Sequence, residues 1–330
     1  MRVRPDVDRP DAALALVSCD GLAQVDDSSR SREVIRAVMA AGVTAALLGA
    51  CSGPTDTSVA SSGLTSSSVA PTATPGETSR WIPSPGVHWQ WVLDHPLQLD
   101  DPADMGTDRT ASDGSPADRP TVFDIDGFAN DAATIAELHR QGAHVICYVE
   151  VGGWEDHRED SATFPAAAIG NPVDGYPDER YLDIRSPDVV RLILDRIEMC
   201  AAKGFDAVEP DLDDTYTANT GFPLTQRDQV AFNSAVAAHA HALGMSIALK
   251  NGDEQPFTDV MEPIVDFAIV EQCFEFDSCD AYTAFDQAGK AVLEVEYNLA
   301  PHEFCDEAAA LGFSAVLHDP ALAGGGTPCR

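Results

Sequence analysis

From residue 81 onward the chain repeats one unit, and this repetition constrains the fold more than any other feature. Each unit is a short apolar segment, a loop with acidic or aromatic residues, and a stretch with helical periodicity. Strands that alternate with helices in this way form a parallel sheet. Eight strands are predicted, at residues 88–93, 121–128, 144–151, 207–212, 246–250, 267–272, 291–297 and 314–318.

Glycines mark the junctions between the predicted helices and strands. A glycine there supplies the left-handed conformation with which a chain leaves a helix. This regularity predicts an α/β fold of the closed (β/α)8 TIM-barrel type. An open doubly wound sheet is the alternative, but no glycine-rich dinucleotide loop follows the first strand, and the glycines at 324–326 are interpreted as a flexible tail. The helices are predicted at residues 131–141, 187–203, 225–243, 257–265, 282–288 and 303–310, and the junction glycines are Gly142, Gly204, Gly244, Gly289 and Gly312.

The first 80 residues have a different composition, which predicts export. Arg30, Arg32 and Arg36 precede an apolar stretch at 38–50, as in a secretory signal. The stretch ends in Leu48-Gly-Ala-Cys51, which resembles a bacterial lipobox, whose cysteine carries a diacylglyceryl group. We predict a leader and lipoprotein signal peptide at 1–50, lipidation at Cys51, a disordered Ser/Thr/Pro-rich tether at 51–80 and a barrel at 81–330. The expected location is extracytoplasmic, lipid-anchored to the cell membrane or secreted.

Six cysteines remain beyond Cys19 of the leader and Cys51 of the lipobox. Outside the cytoplasm such thiols oxidise, so up to three disulfides are expected. The short spacing makes Cys273–Cys279 the best single pair. Zinc is a weaker alternative, because the sequence contains no CxxC pair.

The formal net charge of −34 limits the partners of this chain. The charge argues against nucleic acid as a partner, because phosphate binding needs clustered Lys and Arg that the sequence does not supply. A cationic ligand would be attracted instead. A monomer is expected.

Carboxylates stand at the ends of nearly all the predicted strands. In a barrel, the active site forms at these carboxyl ends. Paired carboxylates there are typical of glycoside hydrolysis, in which one acid protonates the leaving oxygen and a second carboxylate attacks or stabilises the oxocarbenium-like centre. Asp211 and Glu271 are the strongest candidates, because each ends an apolar strand where an unpaired charge is costly. The other acids are Asp124, Asp126, Glu150, Glu209, Asp213, Asp214, Glu296 and Asp319.

Alternatives remain for some of these acids. Asp126, Asp213 and Asp214 follow strands directly, where aspartate often caps the next helix. Metal-dependent hydrolysis is the competing enzyme class, but the predicted strands carry no His-x-His pair, and only His318 lies at a strand end. No Gly-x-Ser-x-Gly elbow occurs. The sequence therefore favours paired carboxylates and predicts no metal or other cofactor.

Several motifs together resemble glycoside-hydrolase family 114, the endo-α-1,4-polygalactosaminidase family. Each motif alone is weak, but the set is specific and spans about residues 89–319. The motifs are Trp89-Gln-Trp91, Phe123-Asp-Ile-Asp126, Val145-Ile-Cys-Tyr148, Gly152 with Trp154-Glu-Asp156, Gly204-Phe-Asp-Ala-Val-Glu-Pro-Asp211, Asn219-Thr-Gly-Phe222, Leu249-Lys-Asn251, Glu271-Gln-Cys-Phe-Glu275 and Val295-Glu-Tyr297.

The resemblance implies a (β/α)8-barrel hydrolase that cuts α-1,4-linked galactosamine polymer internally. The family's catalytic pair matches Asp211 and Glu271. A barrel that binds carbohydrate without cutting it, or a hydrolase for another glycan, is the alternative. Positions matching those that line the family's sugar subsite are Asp124, Tyr148, Lys250, Asn251 and Glu296.

Glu150 departs from the family's pattern. Many relatives have Tyr-Phe-Ser-Ala-Gly-Ser after the third strand, where this chain has Tyr148-Val-Glu-Val-Gly-Gly153. We expect this extra acid to bind an ammonium-bearing sugar or to mark a branch with a different glycan. Glu209 is a further candidate for the substrate site. Trp89 and Trp91 are expected either to stack on sugars or to pack at the barrel rim.

Overall fold

A computed structural model describes residues 80–330, and its central feature is a curled sheet of eight parallel strands in chain order. All eight lie within the predicted ranges, because each is an apolar segment bounded by loops. The predicted leader, the lipobox cysteine and nearly all of the tether lie outside the described residues. The parallel strands are β1 (Trp89–Val92), β2 (Val122–Asp126), β3 (His144–Glu150), β7 (Ala207–Asp211), β8 (Ser246–Lys250), β9 (Phe267–Glu271), β10 (Val292–Glu296) and β11 (Ser314–Leu317); the others are β4 (Gly153–Glu155), β5 (Ile169–Val173), β6 (Tyr176–Leu182) and β12 (Thr327–Pro328).

The C-terminal segment joins the two edges of the curled sheet. Within residues 80–330, β1 and β11 form no ladder with each other, and β12 pairs antiparallel with β11. Leu93 donates its backbone N–H to Leu322 O at 3.1 Å, and the Trp89 indole donates to Ser314 O at 2.8 Å. The barrel predicted from the sequence is thus observed as a curled sheet whose edges meet through the chain end. Residues 324–326, interpreted as a flexible tail, form part of this connection.

Six α-helices occur in residues 80–330, and each overlaps a predicted one. Local signals fix their ends: Asp131 caps the first helix by accepting the Thr134 N–H, and Gly204 ends the second at φ 95°. None of these helices is long and apolar enough to span a bilayer. The helices are α1 (Ala132–Arg140), α2 (Pro187–Lys203), α3 (Gln226–Ala242), α4 (Gln255–Met261), α5 (Thr283–Gln287) and α6 (Pro301–Ala310).

Alternation along the strands separates two apolar clusters and positions the site. In β9, Phe267 and Ile269 belong to the cluster inside the curled sheet, whereas Ala268 and Val270 belong to the cluster beneath the helices. Successive side chains of a strand point to opposite faces. Glu271, the last residue of β9, therefore shares the inner face with Phe267 and Ile269.

A small antiparallel sheet is inserted between β3 and α2, in the order β4-β6-β5. The sequence predicts no strands in this region, because residues 153–182 lack both the apolar runs and the helix-glycine junctions that mark the barrel strands. The insertion brings polar residues from a segment distant in sequence to the carboxyl end of the barrel.

All six cysteines of the described region form disulfides, which confirms the predicted Cys273–Cys279 pair. Each bond fixes an element that borders the barrel. Cys147–Cys200 joins β3 to α2, Cys273–Cys279 closes the loop after β9, and Cys305–Cys329 joins α6 to the chain end.

Candidate active site

Three neighbouring strands end at one cavity of about 650 Å³. Their last residues are Asp211 of β7, Lys250 of β8 and Glu271 of β9, and all three line this cavity. The carboxyl ends of barrel strands are where TIM-barrel enzymes place their catalytic groups. The cavity is therefore the candidate active site.

The residue after each of these three strands has a left-handed backbone. The φ angles are 58° for Leu212, 52° for Asn251 and 59° for Gln272. This conformation costs a non-glycine residue about 1 to 2 kcal/mol, so it persists only where the surrounding structure enforces it. All three residues line the cavity, and the turns they form end each strand directly beside its charged side chain.

Lys250 lies at the centre of the site and is almost fully buried, at 1% exposure. Its Nζ is 2.8 Å from Glu209 Oε1, 3.2 Å from Asp211 Oδ1 and 3.3 Å from Glu271 Oε2. Burial acts to lower the pKa of Lys250, but the three carboxylates outweigh it and hold that pKa well above its usual range. The ammonium group is therefore charged at neutral pH.

Asp211 is held as an ionised carboxylate. Tyr148 donates its hydroxyl to Asp211 Oδ2 at 2.9 Å, while Lys250 contacts the other oxygen. Burial acts to raise the pKa of Asp211, but the charge of Lys250 and these hydrogen bonds together lower it below its usual value. The carboxylate thus keeps its charge although only 4% of the residue is exposed.

Glu271 is held in place by donors on both oxygens. Asn251 Nδ2 donates to Oε2 at 3.1 Å, and the Tyr297 hydroxyl donates to Oε1 at 2.5 Å. The amide of Asn251 also accepts the backbone N–H of Glu271 at 2.9 Å. This reciprocal pairing uses the left-handed turn after β8 to fix the carboxylate at the end of β9.

A second layer of polar groups supports Lys250. The Trp91 indole donates to Glu209 Oε2 at 3.1 Å, and Lys250 Nζ lies 5.1 Å from the centroid of the Trp91 ring. Burial and then the charge of Glu209 raise the pKa of Asp124 well above its usual range, so this neighbouring pair holds a proton. Asp124, Tyr148 and Glu209 are all fully buried and do not line the cavity.

The two tryptophans of the first strand belong to the interior of the curled sheet. Trp89 and Trp91 are 2% and 1% exposed, with ring centroids 5.6 Å apart. Neither lines the cavity. Their positions correspond to packing, one of the two roles expected for them, and not to sugar stacking.

Glu179 of the inserted sheet and Glu150 of β3 form an acidic wall of the cavity. Glu179 of β6 lies beside Glu150, the last residue of β3, and both line the cavity. The carboxyl groups of Glu179 and Glu150 lie within hydrogen-bonding distance of each other. Burial and then the charge of Glu155 raise the pKa of Glu150 well above its usual range and that of Glu179 to about 7. The wall therefore gains negative charge as the pH rises through neutrality.

The aspartates considered as helix caps have different roles. Asp126 fixes the turn after β2 by accepting the N–H groups of Phe128 and Ala129 at 2.8 and 2.7 Å. Asp213 accepts the backbone N–H of Lys250 at 3.3 Å. Asp214 lines the cavity, and burial followed by the charge of Asp211 raises its pKa to about 6.

Glu296 lies apart from the cavity. Its Oε1 accepts the backbone N–H groups of Phe274 and Glu275 at 2.8 and 3.2 Å, so it holds the loop after β9. The neighbouring Glu294 is also buried, and burial raises its pKa well above the usual range, followed by the charge of Glu296. Of the predicted site residues, those that line the cavity are Glu150, Asp211, Lys250, Asn251 and Glu271.

The structure adds residues that the sequence analysis did not single out. Tyr297 contacts Glu271, and Tyr176, Glu179 and Phe276 line the cavity. Tyr297 directly follows β10 and belongs to the same inner cluster as Leu293 and Val295, so its position could have been found from strand alternation. In residues 80–330, no group of three or more His, Cys, Asp or Glu side chains has a metal-binding arrangement.

Comparison with known proteins agrees with this architecture. Residues 70–330 match the model of glycoside-hydrolase family GH114. The chain is 32% identical to Ega3 of Aspergillus fumigatus, solved in complex with galactosamine, over 78% of this chain and 100% of that one, with a TM-score of 0.67. The glycoside hydrolase domain of PelA from Pseudomonas aeruginosa is 15% identical over 73% of this chain and 97% of that one, and its TM-score of 0.52 shows a shared fold.

An uncharacterised protein of Deinococcus radiodurans is 27% identical in an alignment of 200 residues that covers 54% of this chain and 64% of that protein. The match thus spans less than two thirds of that relative's length. Together, the fold and the family match place the chain among the glycoside hydrolases. More particularly, it belongs to family GH114, which confirms the resemblance seen in the sequence motifs.

Replacing Lys250 with methionine tests the charge balance of the site. Glu209, Asp211 and Glu271 would then lack their shared counter-charge. We expect the free energy of unfolding at pH 7 to fall by about 3 to 5 kcal/mol, the scale seen when a buried ion pair loses one partner. The difference in free energy of unfolding between the variant and the wild type should shrink as the pH falls from 7 towards 5. Asp211 and Glu209 take up protons more readily in the variant than in the wild type. Urea unfolding followed by tryptophan fluorescence at several pH values measures this.

Lys203→Met is the matched control. The Lys203 ammonium donates to the backbone carbonyls of Gly127, Phe128 and Asn130. The stability lost in Lys203→Met should therefore not be regained as the pH falls from 7 to 5. A deficit for Lys250→Met that stays constant between pH 5 and 7 would contradict the ionised cluster.

Proposed function

We propose that this chain is an endo-acting hydrolase of α-1,4-linked galactosamine polymers, with Asp211 and Glu271 as its catalytic pair. The observation that carries the proposal is that one ammonium group, that of Lys250, contacts both carboxylates where they line the cavity, at 3.2 and 3.3 Å. Glycoside hydrolysis needs two carboxyl groups on either side of the bond that breaks. Strands β7 and β9, on either side of β8, supply such a pair.

The surroundings of the two carboxylates give each a place in this reaction. Asp211 keeps its charge because Lys250 and Tyr148 lower its pKa, and an ionised carboxylate is suited to attack or stabilise the developing positive centre of the sugar. Glu271 supplies the second carboxyl group, which the Tyr297 hydroxyl and the Asn251 amide hold in position.

The charge of the cavity supports a cationic substrate. Besides the catalytic pair, the cavity lining carries Glu150, Asp174, Glu179 and Asp214. Within the described residues, Lys250 is the one cationic side chain of this lining, and its ammonium contacts three carboxylates. De-N-acetylated galactosamine units carry protonated amines, which such a cavity attracts. The galactosamine bound to Ega3, a family relative, supports the same sugar class for this chain.

We also propose that the enzyme acts outside the cytoplasm, on a lipid anchor at Cys51. The lipobox-like Leu48-Gly-Ala-Cys51 and the preceding basic and apolar stretch support this location. The three disulfides of residues 80–330 support it independently, because such bonds persist in oxidising compartments.

The catalytic pair is tested by isosteric substitutions. We expect Asp211→Asn and Glu271→Gln each to lower turnover of a galactosamine polymer by about a hundredfold or more, since each removes a group that acts in proton transfer or charge stabilisation. Binding of the polymer should remain, because the replacements keep the shape of the side chains. Reducing-end release and calorimetric titration measure the two quantities.

Asp178→Asn is the control for these variants, because this exposed acid of β6 does not line the cavity. The turnover of this variant should match that of the wild type. Near wild-type turnover in either Asp211→Asn or Glu271→Gln would remove that residue from the pair. The role would then pass to another acid of the cavity, such as Asp214.

The acidic wall predicts a pH-dependent affinity. Glu179, with a pKa raised to about 7, is mostly neutral at pH 5.5 and mostly charged at pH 7.5. We expect the affinity of the wild type relative to Glu179→Gln to grow over this range, to about three- to tenfold at the upper end, the scale of one partly screened charge. Titration of the substrate's amines affects the affinity of both proteins equally. The ratio of their dissociation constants therefore reports the contribution of Glu179 alone. A ratio that does not change with pH would contradict a titrating wall, and Asp178→Asn should show no pH-dependent ratio.

A further inference from the structure

Phe276 is the most exposed large apolar side chain among the described residues, at 62% exposure. It lies in the loop that follows β9 and lines the cavity that Glu271 also lines. A single exposed apolar residue on a protein surface needs no special explanation. Phe276, however, lies at the candidate active site and on a tightly held loop, and this position needs an explanation.

The loop is fixed by covalent and polar contacts. The Cys273–Cys279 disulfide closes it at its base. Glu296 accepts two of its backbone N–H groups, and Gln272 O accepts the N–H of Phe276 at 3.1 Å. Ordering a loop so completely loses conformational entropy, which the contacts must offset.

The backbone of the loop turns sharply on both sides of Phe276. Gln272 and Asp277 have left-handed φ angles of 59° and 55°. Between them, Phe274 points inward and packs against Phe304 and Phe313, with ring centroids 5.9 and 6.3 Å away. The loop thus anchors one phenylalanine in the apolar layer and holds a second one in solvent. Removing an exposed phenyl ring from water is favourable, so this ring has free energy available for a ligand.

We infer that Phe276 is a sugar-binding platform, which stacks on a pyranose ring of the polymer at a subsite next to the bond that breaks. The inference rests on the proposed function. The apolar C–H face of a sugar fits the flat face of a phenyl ring, and the ammonium group of an amino sugar is attracted to the same face. Such a contact needs neither charge nor a hydrogen bond from the protein.

The opposite wall of the cavity gives this subsite a second side. Val173 and Tyr176 of the inserted sheet also line the cavity, and that sheet follows β3, which is separated from β9 by β7 and β8. A polymer that passes over Asp211 and Glu271 thus has Phe276 on the β9 side and the acidic wall on the β3 side. Phe276 therefore adds one sugar-binding position on the β9 side of the site.

The test compares Phe276→Ala and Phe276→Trp with the wild type on substrates of increasing length. For a galactosamine hexasaccharide, we expect Phe276→Ala to lower kcat/KM about three- to tenfold, mainly through KM. The loss should be smaller for an aryl α-galactosaminide, which fills fewer subsites. Phe276→Trp should retain most of the wild-type value, because it keeps an aromatic face. Thermal unfolding of each variant establishes that the fold is intact.

Val260→Ala is the matched control, since Val260 is 45% exposed on α4 and does not line the cavity. It should leave both substrates unaffected. If Phe276→Ala lowers kcat/KM equally for both substrates, or does not lower it at all in an active enzyme, Phe276 is not a sugar-binding platform. The proposed function would not be affected by that result. A wild-type protein that neither binds nor cuts amino-sugar oligosaccharides would instead overturn the proposed function and the platform together.

Discussion

The site depends on the buried ammonium group of Lys250. Three carboxylates, two from β7 and one from β9, converge on it within 3.3 Å, in a place that solvent barely reaches. Without a counter-charge, acids this close would repel one another and take up protons. Lys250 keeps Asp211 ionised, and the Trp91 ring below it contributes a second favourable contact. The chemistry at the cavity thus depends on a charge that does not itself belong to the proposed catalytic pair.

The parallel strands give this cluster its geometry. Alternation puts Asp211, Lys250 and Glu271 on the inner face, and the left-handed residue after each strand turns the chain away at once. Because the strands are neighbours in one sheet, three positions distant in sequence share one cavity. The disulfide-closed loop after β9 and the inserted sheet then form the sides of that cavity. Neither segment has the alternation of apolar strands and helices that marks the barrel in the sequence.

Much of this was predictable from the sequence, and strand alternation explains where the prediction stopped. The eight strands followed from apolar segments, and Asp211 and Glu271 stood out because each ends one. The same alternation, applied further, would have placed Glu296 outside the barrel interior, because Val295 and Tyr297 belong to the inner cluster. It would also have placed Trp91 on the inner face.

Other features depend on tertiary contacts that no local pattern encodes. Glu179 lies in a polar strand without clear alternation and approaches Glu150 through the pairing of β4 with β6. Residues 324–326 appear flexible from their glycines, yet the segment they belong to connects the edges of the curled sheet. Phe274 and Phe276 lie two residues apart in one loop, yet the first packs against Phe304 and Phe313 and the second is exposed.

Cleavage of amino-sugar polymers at internal bonds is the activity proposed for this cavity, and analysis of the released products tests it. The full-length protein is incubated with α-1,4-linked galactosamine polymer, and the products are measured by mass spectrometry over time. Internal cleavage should release oligosaccharides of many lengths from the earliest samples. Polymer that is bound but never shortened would contradict it and would identify a barrel that binds carbohydrate without catalysis.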